Sequence, residues 1–241
     1  MPDDGRGQAP VGQGKPGASE MNKMINSKTD HKNIGLVKNL WQLRQALDVF
    51  CLISVNANAI NKTVGGGKKF FVFVQILCLD LIILYISKIF EKEKKKRGGY
   101  ELNSIDGVLR AIENDGADVW DSEKIKEFVK KYGSGSDNCG LAAISAVVEV
   151  FTERHHEALS RFKTLRDKRI AHGESKFSAE YAPSYDEMEQ LFDFGLDFYM
   201  LVSRAIVSVI PVNLNNDRKV KTSLKKLLKT LGCEEIKTEM E

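Results

Sequence analysis

Arg166, Asp167, Arg169 and His172 fall within the seven-residue stretch Arg166-Asp167-Lys168-Arg169-Ile170-Ala171-His172. A histidine, with an unperturbed pKa of about 6.5, gives or takes a proton near neutral pH. An arginine stays protonated, and its planar fork matches the oxygens of a phosphate. His172 and Arg166 therefore supply proton transfer and charge for phosphate chemistry. Asp167 can orient one of them, and Arg169, about one turn before His172, can add a phosphate contact.

The residues before this stretch must position it. From Leu141 onward, Ile144, Val147, Val148, Phe151, Ala158, Leu159, Phe162 and Leu165 recur at helical spacing. Glu149, Glu153, Arg154, Glu157, Arg161 and Lys163 occupy the outward positions, so one long amphipathic helix is predicted. Gly173 then falls where a C-cap glycine belongs. Six residues along a regular helix place Arg166 and His172 roughly 120° apart around the axis. Both reach one phosphate only if the helix frays, bulges or ends before His172. One protomer also offers a single histidine where a separate acid and base are needed. A second copy meeting the first along this helix would place two Arg–His pairs around one cleft. The competing reading is a capping arrangement, since cations at a helix C-terminus gain about 0.3–1 kcal/mol from its dipole.

Arg166, five intervening residues and His172, with polar Asp167 after the arginine, resemble the Arg-x4–6-His motif of the HEPN family (higher eukaryotes and prokaryotes nucleotide-binding). The words from Arg166 to Gly173 and the order of helices around them look most like the abortive-infection branch found in bacteria. The resemblance spans the helices from about Ile34 to Ile210. It implies an all-α bundle, a metal-independent ribonuclease with an active site at a homodimer interface, and a role in phage defence or as a toxin. RNA is cut without a metal when its 2′-hydroxyl attacks the adjacent phosphate. That needs a base for the hydroxyl, an acid for the leaving 5′-oxygen and positive charge on the phosphorane, and it leaves a 2′,3′-cyclic phosphate. Some HEPN domains have lost cleavage, so a silent helical module that binds RNA or a protein through the same surface is the second reading. An antitoxin or other regulatory partner fits the family. Some HEPN toxins carry a modified tyrosine two residues after the histidine; Glu174 stands there, so that form of control is not supported.

The rest of the chain reads as helices too. Residues 1 to about 30 hold three prolines and no bulky periodicity, and are expected to be a disordered tail. A helical domain follows over 31–214, and a Lys-rich amphipathic helix with its tail over 215–241. The first long helix is predicted from Ile34 to about Asn61, broken by Thr63-Val64-Gly65-Gly66-Gly67. Phe70–Phe90 is apolar enough to cross a bilayer. Gln75, Asp80 and Lys88 would lie within the hydrocarbon, where a charge costs roughly 2.5–3.5 kcal/mol even on insertion scales, so a buried central helix is favoured and a membrane-attached protein is the third reading. The run from Glu91 to Arg97 closes that helix. Short helices are predicted over Ile105–Ile112, behind Asn103-Ser104, and over Ser122–Tyr132, with a polar linker over 133–138. After a loop over 174–183, Ser184 and Glu187 form a capping box for a helix running to Pro211. Asp217 opens the last helix. The expected fold is all-α: about four long helices, short inserted helices and a C-terminal amphipathic helix.

A net charge of +3 is too small to hold nucleic acid by bulk electrostatics, so any RNA contact must come from a local patch. Cys51, Cys78, Cys139 and Cys233 are scattered, with no Cys-x-x-Cys and no histidine at ligand spacing, and neither a metal nor a cofactor is expected. Ser145, Ser160 and Cys139 lack His–Asp partners at a readable spacing, which leaves a serine or cysteine hydrolase unsupported. Gly65-Gly66-Gly67-Lys68-Lys69 lacks the spacing of a phosphate-cradling loop. Of His155 and His156, one is expected to pack and the other to be exposed, and His31 belongs to the tail. The lysines from Lys219 to Lys229 read as a solvated face, or as a track for RNA backbone. The first twenty residues hold no apolar secretory core, so the cytoplasm is the expected location.

Overall fold

The structure, a computed structural model, describes residues 27–92, 102–133, 140–171, 183–214 and 218–239. The expectations for the tail through residue 26, the charge run past Lys92, the linker past Gly133, Cys139, Gly173, Glu174, the loop over 175–182 and Asp217 lie outside the described residues, as does His172.

Ser27 opens α1 (Lys28–Val55) by accepting the Asp30 N–H on its hydroxyl. The helix thus begins at Lys28, not Ile34, and takes in residues assigned to the tail. Its polar first turn carries no hydrophobic period. It is held by tertiary bonds instead: the Thr29 N–H and hydroxyl donate to Asp115 Oδ2 at 2.8 and 2.7 Å, and the Lys32 ammonium donates to the Leu102 carbonyl at 2.8 Å. A short α2 (Ala57–Thr63) and a 3₁₀ turn at Gly65–Gly67 reverse the chain, with Gly65 at φ +51°.

The next helix, α3 (Lys68–Phe90), runs back along α1. Gln75 Nε2 donates to Ser54 Oγ at 2.7 Å near one end of the pair. Near the other, Leu40 and Ile89 both crowd Gly195, where a Cβ would lie 2.9 Å from Leu40 Cδ2 and 3.5 Å from Ile89 Cγ2. The polar residues of α3 find partners: Gln75 on Ser54, Asp80 on Arg169, and the Lys88 ammonium 5.2 Å from the centre of the Tyr85 ring. Among the described residues α3 is the one helix long and apolar enough to cross a membrane, and 33% of its most apolar window is buried in the protein.

Ser104 caps α4 (Ile105–Asp115), which ends on Gly116 at φ +58°, and Asp121 caps α5 (Ser122–Tyr132). The predicted capping box is present: Ser184 and Glu187 bond reciprocally at the start of α8 (Tyr185–Ala205). That helix does not run to Pro211. It stops at Ala205, whose carbonyl accepts the Trp120 N–H at 2.7 Å, and Ser208 sits at φ +57°. The β-branched run Ile206, Val207, Val209 and Ile210 gives the last turn little helical preference of its own. The last helix, α9 (Lys219–Thr230), inserts Leu228 among Leu52, Ile53, Ile60 and Phe71.

The long motif helix is not continuous. It divides into α6 (Leu141–Arg154), α7 (His156–Leu165) and a π-helical turn over Arg166–Ala171. His155 marks the first break, at φ −101° and ψ 17°, with its ring 4.3 Å from that of Phe151. His155 is half-buried and His156 exposed, as expected for the pair. The fold is all-α, with nine α-helices and no strand among the described residues. Its core centres on Phe162, Phe192, Phe194 and Phe198, all fully buried, and Phe151 stacks on Phe194 at 3.6 Å.

Candidate functional site

Arg166 and Asp167 begin the π-turn, where the backbone ladder widens to i→i+5. Regular α-geometry is therefore lost before His172, which was the condition set by the angle between the two motif residues. Single π-turns inside helices cluster at functional sites.

A cleft of about 740 Å³ lies against this turn. One wall is the end of α3, with Ser87, Phe90, Glu91 and Lys92. The other is built from Thr152 and Glu153 at the end of α6, from His156, Ser160 and Lys163 on α7, and from Arg166 and Asp167. Leu159 and Phe162 complete the lining. Two of the predicted site residues therefore share one opening.

Arg166 is 22% exposed, and carboxylates hold its guanidinium on two sides. Nη1 donates to Glu91 Oε2 at 3.2 Å and Nε to Asp167 Oδ1 at 2.9 Å. Asp167 thus orients the arginine, one of the two roles its position allowed. A phosphate entering the cleft would compete with these oxygens for a fork built to grip two of them.

Arg169 is not among the cleft-lining residues. Its Nε donates to Asp80 Oδ1 at 2.5 Å, tying the π-turn to α3, which is not the buried central helix expected, since Phe70, Val72, Phe73, Ile76, Leu77 and Leu81 of that helix are exposed. Asp80, read in the sequence as an argument against a membrane span, is thus the anchor of the motif.

His155 lies outside the lining as well. Burial lowers its pKa, helped by neighbouring Arg154 and opposed by Glu187. Glu187 in turn bonds Arg161, joining α7 to the start of α8.

Glu91, His156, Ser160 and Lys163 were not singled out as site residues. A signal for three of them was present: His156, Ser160, Lys163 and Asp167 stand at i, i+4, i+7 and i+11, which is one helix face. Glu91 had none, because only the packing of α3 on α7 brings it to the motif. Among the described residues no three His, Cys, Asp or Glu side chains converge as a metal-ligand set.

The family model for AbiU2, a HEPN family, matches residues 34–222, well over half of the chain. No curated protein and no solved structure matches it. The matched span contains the cleft and its π-turn, and the chain belongs to the AbiU2 family of HEPN proteins, an abortive-infection type.

Proposed function

We propose that the protein is a cytoplasmic endoribonuclease of phage defence or toxin type that cuts single-stranded RNA without a metal. In this reading the 2′-hydroxyl loses its proton to a base and attacks the adjacent phosphorus. The bond to the 5′-oxygen breaks, that oxygen takes a proton from an acid, and a 2′,3′-cyclic phosphate remains. Arg166 stabilises the phosphorane charge, His172 transfers a proton, and Asp167 holds Arg166 in place. The observation that carries the reading is Arg166 on a π-turn at the edge of an open cleft, in a chain of a HEPN family.

A homodimer completes the site by bringing a second histidine. Support comes from the outer side of α3, where Phe70, Val72, Phe73, Ile76, Leu77 and Leu81 are exposed together. This apolar face ends beside Asp80, the anchor of Arg169, so a second copy seated there lies next to the motif.

Purified protein in EDTA should degrade RNA to products with cyclic-phosphate ends, read by mass spectrometry. His172→Ala should abolish this while the circular-dichroism helix signal is retained. Cleavage equal to wild type by that variant removes the assignment of His172. Absence of cleavage by the wild-type protein, with RNA or a protein still bound, leaves the silent module. Sedimentation should give a dimer, and recovery only in the detergent-free pellet would replace the dimer with a membrane on the α3 face.

A further inference from the structure

The groups nearest Arg166 in the cleft are spoken for, but the α7 face leading up to it is not. His156, Ser160, Lys163 and Asp167 advance by 400°, 700° and 1100° around the axis, which puts them within about 40° of one line. From His156 to Asp167 the line runs eleven residues, roughly 16 Å, with Arg166 about 80° around the axis from it but lining the same cleft. A stacked strand rises about 3.4 Å per nucleotide, so this length seats a few consecutive nucleotides. Among the described residues, the side chains of His156 and Lys163 make no hydrogen bond and no ion pair, in contrast to that of Arg166. Across the cleft, Phe90 is half-buried and offers an apolar surface beside Leu159.

We propose that the cleft between the end of α3 and α7 is the path of the single-stranded RNA, with Lys163 and His156 gripping the backbone away from the scissile linkage. This rests on the ribonuclease reading and adds where the substrate lies. The face joins a cation, a ring N–H donor and the Ser160 hydroxyl to an apolar floor. Single-strand grooves combine these elements: charge that follows the backbone and flat surfaces for bases. The low net charge of the whole chain is no obstacle, because the path needs only two cationic or donor groups lining the same cleft as Arg166. Glu91 and Glu153 also line the cleft, and their charge opposes the phosphates that Arg166 and Lys163 attract. His156 lies about 15 Å along the axis from Arg166 and is a binding residue, not the missing second acid or base.

The test measures binding of the full chain to an oligoribonucleotide with 2′-O-methyl riboses, which cannot be cut, by fluorescence anisotropy across a salt series. Cleavage of the unmodified strand is followed in parallel. Lys163→Ala should weaken binding several-fold and flatten the slope of log affinity against log salt by about 0.7. His156→Ala should raise KM, while the single-turnover rate at saturating RNA stays at the wild-type level. Lys226→Ala, on the exposed face of α9 away from the cleft, should change neither. All three side chains are exposed, so folding is preserved and circular dichroism verifies it. If Lys163→Ala and His156→Ala leave affinity, salt slope and KM unchanged in a protein that still cuts RNA, the path is wrong and the nuclease stands. If only Lys226→Ala weakens binding, the RNA runs over α9. If the wild-type chain neither binds nor cuts RNA, the ribonuclease reading falls and the path falls with it.

Discussion

Arg166 Nη1 donates to Glu91 Oε2 at 3.2 Å, joining the motif to the end of α3 across 75 positions of chain. The contact keeps the guanidinium aimed into the cleft, and it also occupies a donor that a phosphate would use. Both side chains are partly exposed, at 22% and 37%, so solvent screens the pair and its worth is about 0.2–1 kcal/mol. Glu91→Gln should therefore tighten binding of a non-cleavable RNA by up to about five-fold, measured by anisotropy at fixed salt. Weaker binding by this variant would mean that Glu91 positions the arginine more than it competes for it.

Arg44 presents the opposite case, a charge almost wholly removed from water. Its Nη1 and Nη2 each donate to Glu189 at 2.9 Å, Nη2 also reaches Asp48 Oδ1 at 2.8 Å, and its side chain is 3% exposed. Burial pushes the Glu189 carboxyl up, but the bonds from Arg44 outweigh it and the net shift is downward. Arg44→Ala strands two carboxylates and should cost about 3–5 kcal/mol in urea denaturation. Cleavage per folded molecule should hold near the wild-type value, since this cluster joins α1 to α8 and lines no part of the cleft around Arg166.

These two ion pairs mark what was legible in the sequence and what was not. Ser184 with Glu187, and Ser104, are local signals, read within a few residues, and α8 and α4 begin where those caps placed them, while α5 covers the predicted Ser122–Tyr132. Arg166 and Asp167 were legible as motif residues for the same reason. The start of α1 was missed because its first turn is held by Asp115 and Leu102, far away in the chain. The division of the motif helix at His155 was missed because every residue around it keeps a helical period. Arg169 read as a phosphate contact from spacing alone; that Asp80 holds it is a fact of how α3 packs.

His155 carries a pH dependence whose direction follows from its burial. Its folded-state pKa is lowered, so the unfolded chain takes up the proton first as pH falls through about 6.5. Stability from the neutral ring is present above that pH and is lost as pH drops toward the folded pKa. The groups facing it are Arg154, which reinforces the shift, and Glu187, which opposes it. Thermal unfolding of wild type and His155→Gln between pH 7.5 and pH 5 should show the difference in Tm narrowing toward the acid side. A difference that widens in acid would mean that the folded ring is charged.

The bond from Arg169 Nε to Asp80 Oδ1 separates positioning from direct substrate contact. If Arg169 acts only by fixing the π-turn on α3, removing either partner has the same consequence. Arg169→Ala and Asp80→Ala should then lower the rate of RNA cleavage by similar factors, and the double variant should be little worse than either. The stability cost of each should be small, about 0.2–1 kcal/mol, because the side chains are 24% and 33% exposed. A phosphate contact predicts otherwise. Arg169→Ala alone would then weaken binding and flatten the salt slope, whereas Asp80→Ala would remove a carboxylate that competes with phosphate for the guanidinium and so strengthen binding. Affinity for the non-cleavable strand therefore decides the role: equal and near wild type in both single variants for an anchor, moving in opposite directions for a phosphate ligand.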